Sequence, residues 1–277
     1  MVMNASTAYA TLNNGVKMPW LGLGVYKAED GAEVEQAVIK AIKAGYRSID
    51  TAAVYYNEEG VGSAIKKSGV AREELFITTK VWNDDQGYES ALRAFDQSMN
   101  KLGLDVLDLY LVHWPVEGKF KDTWKALETL YKAGKVRAIG VSNFNVTHLE
   151  ELLKTAEIKP MVNQIEFHPY LLQEDLRKYC KEQGIQVEAW RPLTKGDIFS
   201  NPTVQEIANA HNKTPAQVLL RWNIEHEVVT IPKSVTESRI IENSQIFDFE
   251  LTQEEIRKLD ELNEDKRYGP DPETFDF

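Results

Sequence analysis

The chain has 277 residues, of which 43% are hydrophobic and 27% charged, values of a folded globular protein rather than a disordered or fibrous one. Its net charge of −11 argues against nucleic acid or an anionic membrane as a general partner, although a local basic cluster can still bind an anionic cofactor. A single cysteine, Cys180, rules out an internal disulfide, and no apolar run approaches the ~18 residues of a membrane span. The stretch MVMNASTAYATLNNG has no basic region followed by an apolar core, so the expected compartment is the cytoplasm. A rule of about 150 residues per domain suggests two domains, but α/β barrels run to about 250 as one, and no linker composition interrupts the chain. The expectation is a single domain over residues 1–277.

Taken in chain order, the first signal is Asn14-Gly15 between two short β-like runs, which predicts a hairpin. A strand follows near WLGLGVY at residues 20–26. Val34, Ala37, Val38, Ala41 and Ile42 then recur at the 3.6-residue helical period up to Gly45, a C′ glycine. YRSID, LFITTK and LDLYLVH read as the next strands. Candidate strand ends fall at Asp50, Lys80, His113, Asn143, Glu166, Trp190 and Lys233, spaced 30, 33, 30, 23, 24 and 43 residues apart. Each interval holds one strand and one helix, and the last has room for more. Thr214-Pro215-Ala216-Gln217 and Thr252 with Glu255 read as capping boxes opening helices. Eight strands alternating with helices predict a (β/α)8 TIM barrel of the α/β class. The runner-up, a doubly wound sheet, calls for G-x-G-x-x-G after an early strand. Gly22-Leu23-Gly24-Val25-Tyr26-Lys27 lacks its third glycine.

In such a barrel all strand C-termini share one rim, where residues distant in sequence converge. Asp50, Tyr55, Lys80 and His113 are each expected at or just beyond the end of a different strand. Alone, the aspartate, the lysine or the histidine would more often be a strand cap, a solvated charge or a satisfied core group. Their joint placement on one rim points to chemistry. A tyrosine hydroxyl ionises near pH 10, too high for ready proton exchange at neutrality, and an adjacent ammonium is expected to lower it. The expected roles are Tyr55 as general acid, Lys80 as the group that tunes it, Asp50 as the partner of Lys80, and His113 as the group that orients a carbonyl oxygen. No side chain here supplies hydride, so a nicotinamide is required. Downstream, Lys233, Ser234 and Arg239 with free backbone N–H groups form a candidate phosphate site, the plain alternative being a solvated basic turn.

These features, D-T-A-x-x-Y, the lysine of the next strand, LVHWP and IPKSVTESRIIEN at residues 231–243, resemble the aldo-keto reductases, essentially from end to end of the chain. The resemblance implies reduction of aldehydes or ketones with NADPH, the reverse reaction with NADP+, and the same four catalytic roles. It implies that the hairpin closes the barrel bottom and that Lys233, Ser234 and Arg239 bind the 2′-phosphate, with Glu242 and Asn243 near the adenine. Ser142, Asn143 and Gln164 would meet the nicotinamide carboxamide, Trp190 would stack on the ring, and Leu193 would join the cofactor contacts. Tyr26, Trp82 and Trp114 follow strand ends and are expected to wall the substrate pocket. Trp124, Trp222 and His168 are expected to be structural. Arg191 departs from the family pattern, which has a small residue there. Beside the pyrophosphate it would add a contact or crowd the channel, and a solvent-facing arginine touching nothing is the other reading. The tail KRYGPDPETFDF is expected near the active-site mouth, as a lid or as cover for the barrel's outside. The expected partner is a small aldehyde or ketone, with no metal, nucleic acid or membrane, and the expected state is a monomer. Two rivals stand beside this reading: an NADPH-binding barrel with a regulatory or sensing role, and a metal-dependent hydrolase, for which only His113 among the histidines ends a predicted strand.

Overall fold

The computed structural model describes residues 8–277. β1 (Tyr9–Thr11) and β2 (Lys17–Pro19) pair antiparallel around Asn14-Gly15, with Gly15 at φ 85°. Eight parallel strands follow: β3 (Gly22–Gly24), β4 (Ser48–Asp50), β5 (Phe76–Val81), β6 (Leu107–Val112), β7 (Val136–Ser142), β8 (Val162–Glu166), β9 (Gln186–Trp190) and β10 (Val229–Thr230). They hydrogen-bond in chain order, and bridges Leu21–Thr230 and Gly24–Lys233 bring the last strand back to the first. A doubly wound order is thereby excluded.

One helix fills each interval from α1 (Ala32–Lys43) through α2 (Glu58–Lys67), α3 (Tyr88–Leu102), α4 (Phe120–Lys132) and α5 (Val146–Leu153) to α6 (Glu174–Gln183). The longest interval holds two, α7 (Pro202–His211) and α8 (Pro215–Glu225); α9 (Glu237–Ser244) and α10 (Gln253–Asp260) follow β10. Among the described residues no helix is long and apolar enough to cross a membrane.

Local signals account for the element ends. α1 buries Val34, Ala37, Val38, Ala41 and Ile42, then stops as Gly45 N–H donates to Ile42 O and Tyr46 N–H to Ala41 O. This Schellman pair needs the positive φ (98°) that glycine adopts without strain. Both capping boxes form: the backbone N–H groups of Gln217 and Glu255 donate to Thr214 Oγ1 and Thr252 Oγ1, and their side chains accept in return. Gly22 and Gly24 serve close packing rather than phosphate binding, since a Cβ on Gly24 would lie 2.9 Å from Ile231 O.

The hairpin covers the barrel's N-terminal end. Asn13 Nδ2 donates to Pro160 O and Gly184 O, and Asn14 Nδ2 to Arg137 O, all at or just before the starts of β7, β8 and β9. Between strands and helices lies an apolar shell in which Trp222 stacks on Phe167 and the Trp124 indole reaches Ile158 O. Cys180 is fully buried, and burial pushes its thiol up to about 11, which leaves it unreactive. The inside of the barrel differs from that shell. Toward the C-terminal rim it holds Asp50, Lys80, Gln164 and Glu188, all buried.

Candidate active site

Asp50 is the last residue of β4, and Tyr55 ends the single 3-10 turn Ala53–Tyr55 that follows, so these two share one strand. Lys80 is the penultimate residue of β5, and His113 directly follows β6. Lys80 Nζ donates to Asp50 Oδ1 at 2.7 Å and to Thr51 O at 2.8 Å, and lies 5.1 Å from the centre of the Tyr55 ring. The His113 ring meets Tyr55 edge-on at 5.8 Å and Trp82 at 5.2 Å. The four groups expected from the sequence are therefore gathered in one place.

Burial alone would lower the ionisation of Lys80, but Asp50 and Tyr55 more than offset it, and the lysine stays charged. Burial, with help from Lys80, holds His113 well below its ordinary value, so its imidazole is neutral. Its Nδ1 is buried without a partner, which leaves Nε2 as the nitrogen facing the cleft. Tyr55 departs from expectation. Its hydroxyl is pushed up to about 12, because burial outweighs the pull of Lys80 and Asp50 opposes that pull. The ammonium does lower the phenol, as expected, but from a value already raised by desolvation. Tyr55 accordingly keeps its proton at neutral pH, which suits a donor.

Asn143 holds the rim together at φ 62°. Its Nδ2 donates to His113 O at 3.1 Å, and its Oδ1 accepts from Trp190 Nε1 at 2.8 Å. Ser142 Oγ donates to Gln164 O, and the Gln164 amide donates to both Asp50 and Glu188. Sequence reasoning missed Glu188. The signal was present, because in QVEAW it alternates with Trp190 and so shares its inward face.

Tyr26, half exposed, lies 5.0 Å from the Tyr55 ring, and Trp82 and Trp114 complete the aromatic wall. The tail crosses this same face rather than the barrel's outside. Tyr268 and Gly269 donate their backbone N–H groups to the two oxygens of Glu166, whose Oε1 also meets His168 Nε2 at 2.9 Å. Phe277 stacks on Trp82 at 5.9 Å with its plane within 4°, and Phe275 lies 5.0 Å from Trp114. His168, Trp124 and Trp222 are buried, as structural residues should be.

Lys233 sits beside Gly24, which itself pairs with Asp50, so its backbone is level with the rim. Arg239 is the third residue of α9, whose N-cap Thr236 makes no side-chain cap. Lys233 and Arg239 are exposed and form no ion pair among the described residues, while Ser234 turns its hydroxyl to Thr236. Two free cations and open N–H groups fit an anionic group. The Glu242 carboxylate accepts from Thr214 Oγ1 at 2.8 Å, and Asn243 is buried. Leu193 precedes a 3-10 segment, Thr194–Ser200. Arg191 is not a solvent-facing arginine that touches nothing. It adopts φ 57°, its guanidinium lies 5.3 Å from the Trp190 ring, and Nη1 is buried without a partner. Among the described residues no three His, Cys, Asp or Glu are grouped to hold a metal.

A closed eight-stranded barrel carrying this tetrad defines an oxidoreductase of carbonyl groups. Residues 20–264 match the Aldo/keto reductase family model, and the chain belongs to that family, whose members reduce aldehydes and ketones with NADPH. It is 66% identical over 266 residues to a glyoxal reductase of Bacillus subtilis, covering 96% of each chain. To the methylglyoxal reductase DkgA of Salmonella typhimurium it is 47% identical over 275 residues, covering 98% of this chain and 99% of that one. Among solved structures, a Gox0644 variant in complex with NADPH superposes with a TM-score of 0.93 at 43% identity, over 98% of this chain and 99% of that one. The rival reading of a regulatory NADPH-binding barrel finds no support.

Proposed function

We propose that this chain reduces small aldehydes, with α-dicarbonyls such as glyoxal and methylglyoxal as its best substrates, and that it works as a single-domain monomer in the cytoplasm. The observation that carries the reading is the site itself: a protonated Tyr55 and a neutral His113 share one cleft, walled by Tyr26, Trp82, Trp114 and the Phe275–Phe277 tail. The aromatic walls suit a small carbonyl compound, and the reductase names of the relatives point the same way. His113 Nε2 donates to the carbonyl oxygen and fixes its orientation, and Tyr55 delivers the proton to that oxygen as negative charge builds on it. Lys80, held by Asp50 and Thr51 O, stabilises the phenolate that remains. Bound NADPH supplies the hydride.

Lys233, Ser234 and Arg239 would hold the 2′-phosphate of NADPH, and Ser142, Asn143, Gln164, Trp190 and Leu193 would hold or pack on its remaining parts. Glu242, whose carboxylate also accepts from Thr214 Oγ1 at the start of α8, and Asn243 would lie near the adenine. A panel of glyoxal, methylglyoxal, an aldose and a bulky aromatic ketone, followed by loss of NADPH absorbance, tests the substrate assignment. The dicarbonyls are expected to give the highest kcat/KM. A tenfold or greater advantage for the bulky ketone or the aldose, about 1.4 kcal/mol of transition-state binding, would overturn it.

Arg191 belongs to the same reading. An unpaired guanidinium nitrogen in a buried place is costly, and a pyrophosphate oxygen is the kind of group that removes the cost. Arg191→Ser is therefore expected to weaken NADPH and NADH by similar factors, on the order of 10-fold for one lost charge-assisted bond. Dissociation constants from fluorescence titration check this. Unchanged affinity for both cofactors would make Arg191 irrelevant to binding.

A further inference from the structure

Behind the catalytic lysine lies a second carboxyl group for which the proposed mechanism has no use. Glu188 stands in the middle of β9, fully buried, and pairs in register with Gln164 of β8. Gln164 Nε2 donates to Asp50 Oδ2 and to Glu188 Oε2, both at 2.8 Å. Asp50 is thus gripped on both oxygens, by Lys80 on one and by Gln164 on the other. The two acceptors also fix the Gln164 amide with its NH2 inward, so its carbonyl oxygen is the end left for any other partner. The remaining oxygen of Glu188, Oε1, is buried and has no partner.

We propose that Glu188 is a positioning residue for the reaction: through Gln164 it holds Asp50 on Lys80, and its charge state sets how readily Tyr55 gives up its proton. The inference rests on the carbonyl-reductase reading above. The charged groups bearing on Glu188 are Asp50 of β4 and Lys80 of β5, with neutral Gln164 of β8 between, while its register partner on β10 is only Val229. Asp50 alone bonds the one ammonium, Glu188 reaches it only through Gln164, and in so buried a place both carboxyl groups cannot be ionised cheaply. Burial first, and then Asp50, push Glu188 up to about 8, so at neutral pH it is the group that carries the proton. When it ionises, negative charge appears behind Lys80. That charge opposes formation of the Tyr55 phenolate, and reduction slows.

Glu188→Gln keeps the acceptor for Gln164 and removes the ionisation. Reduction by the wild type is expected to fall by about 3- to 10-fold as pH rises through about 8, because the new negative charge makes the Tyr55 phenolate harder to form. The Gln variant is expected to work within about twofold of wild type at pH 7 and to lack that step. Thermal unfolding of the cofactor-free protein gives an independent readout. A carboxyl whose folded value is raised binds its proton more tightly when folded, so its stability contribution is full below the unfolded value of 4.5 and is lost as pH rises toward about 8. Wild-type Tm is therefore expected to drop between pH 5 and about 9 more steeply than that of the Gln variant. Superimposable pH–rate and pH–Tm curves for the two proteins would overturn the proposal, as would a large loss of turnover at pH 7 in a folded Gln variant. Should Gln at this position prevent folding, Glu188→Met gives the same pH–Tm comparison. A wild type that melts as described but turns over no carbonyl would sink the carbonyl-reductase reading and the positioning role, leaving only the buried proton.

Discussion

Replacing Tyr55 with phenylalanine is expected to leave NADPH binding nearly intact and to lower carbonyl reduction by roughly 10²-fold or more, the loss typical of a missing general acid. The substitution removes one oxygen and leaves the ring, which keeps its contacts with Tyr26 and His113. Lys80 still has Asp50 and Thr51 O as partners, so the site should not collapse around the change. Fluorescence titration and steady-state rates on the same preparation separate binding from chemistry. A variant that keeps more than about a tenth of wild-type turnover would remove Tyr55 from its role. Because burial pushes Tyr55 up to about 12, the phenol is protonated at every pH used for reduction. A loss of reduction through the alkaline range then has to come from a neighbouring group.

Arg239→Ala is expected to weaken NADPH by about 10- to 150-fold, one charge-assisted hydrogen bond of roughly 1.5–3 kcal/mol, and NADH hardly at all, since NADH lacks the 2′-phosphate. The arginine is exposed and forms no ion pair among the described residues, and alanine is the best helix former for its place in α9. The variant should therefore melt like wild type, which isolates the effect in the cofactor. Equal weakening of both dinucleotides would place Arg239 on a part they share.

What could be read from the sequence was what local rules govern. Asn14-Gly15 specifies its turn, Gly45 ends α1 because the motif needs a positive φ, and Thr214 and Thr252 announce helices by their own side-chain chemistry. The cluster of Asp50, Tyr55, Lys80 and His113 was legible because strand ends in a closed barrel must meet, whatever the loops do. The acid strength of Tyr55 was not, since desolvation depends on every element around the ring and no spacing encodes it. The tail was expected near the mouth, but its contacts were not legible: two backbone N–H groups on Glu166 and two phenylalanines on tryptophans join segments a hundred or more residues apart. Arg191 hid its geometry because arginine carries no preference for a left-handed backbone. Glu188 was the missed opportunity, an acid in an inward register that two-residue alternation alone would have flagged.

Asn143 carries a consequence for anyone altering this enzyme. One amide joins the backbone carbonyl of His113 to the indole of Trp190, so the proposed substrate-aligning residue and the proposed cofactor-stacking ring are tied to one part. Reshaping position 190 would remove the partner of Asn143 Oδ1 and so disturb the amide that also holds the His113 backbone carbonyl. Lys233 and Arg239, the proposed 2′-phosphate ligands, make no hydrogen bond to that part, so on the proposed reading cofactor choice and catalytic alignment are separable. On that reading, changes of coenzyme preference are best made at the α9 end.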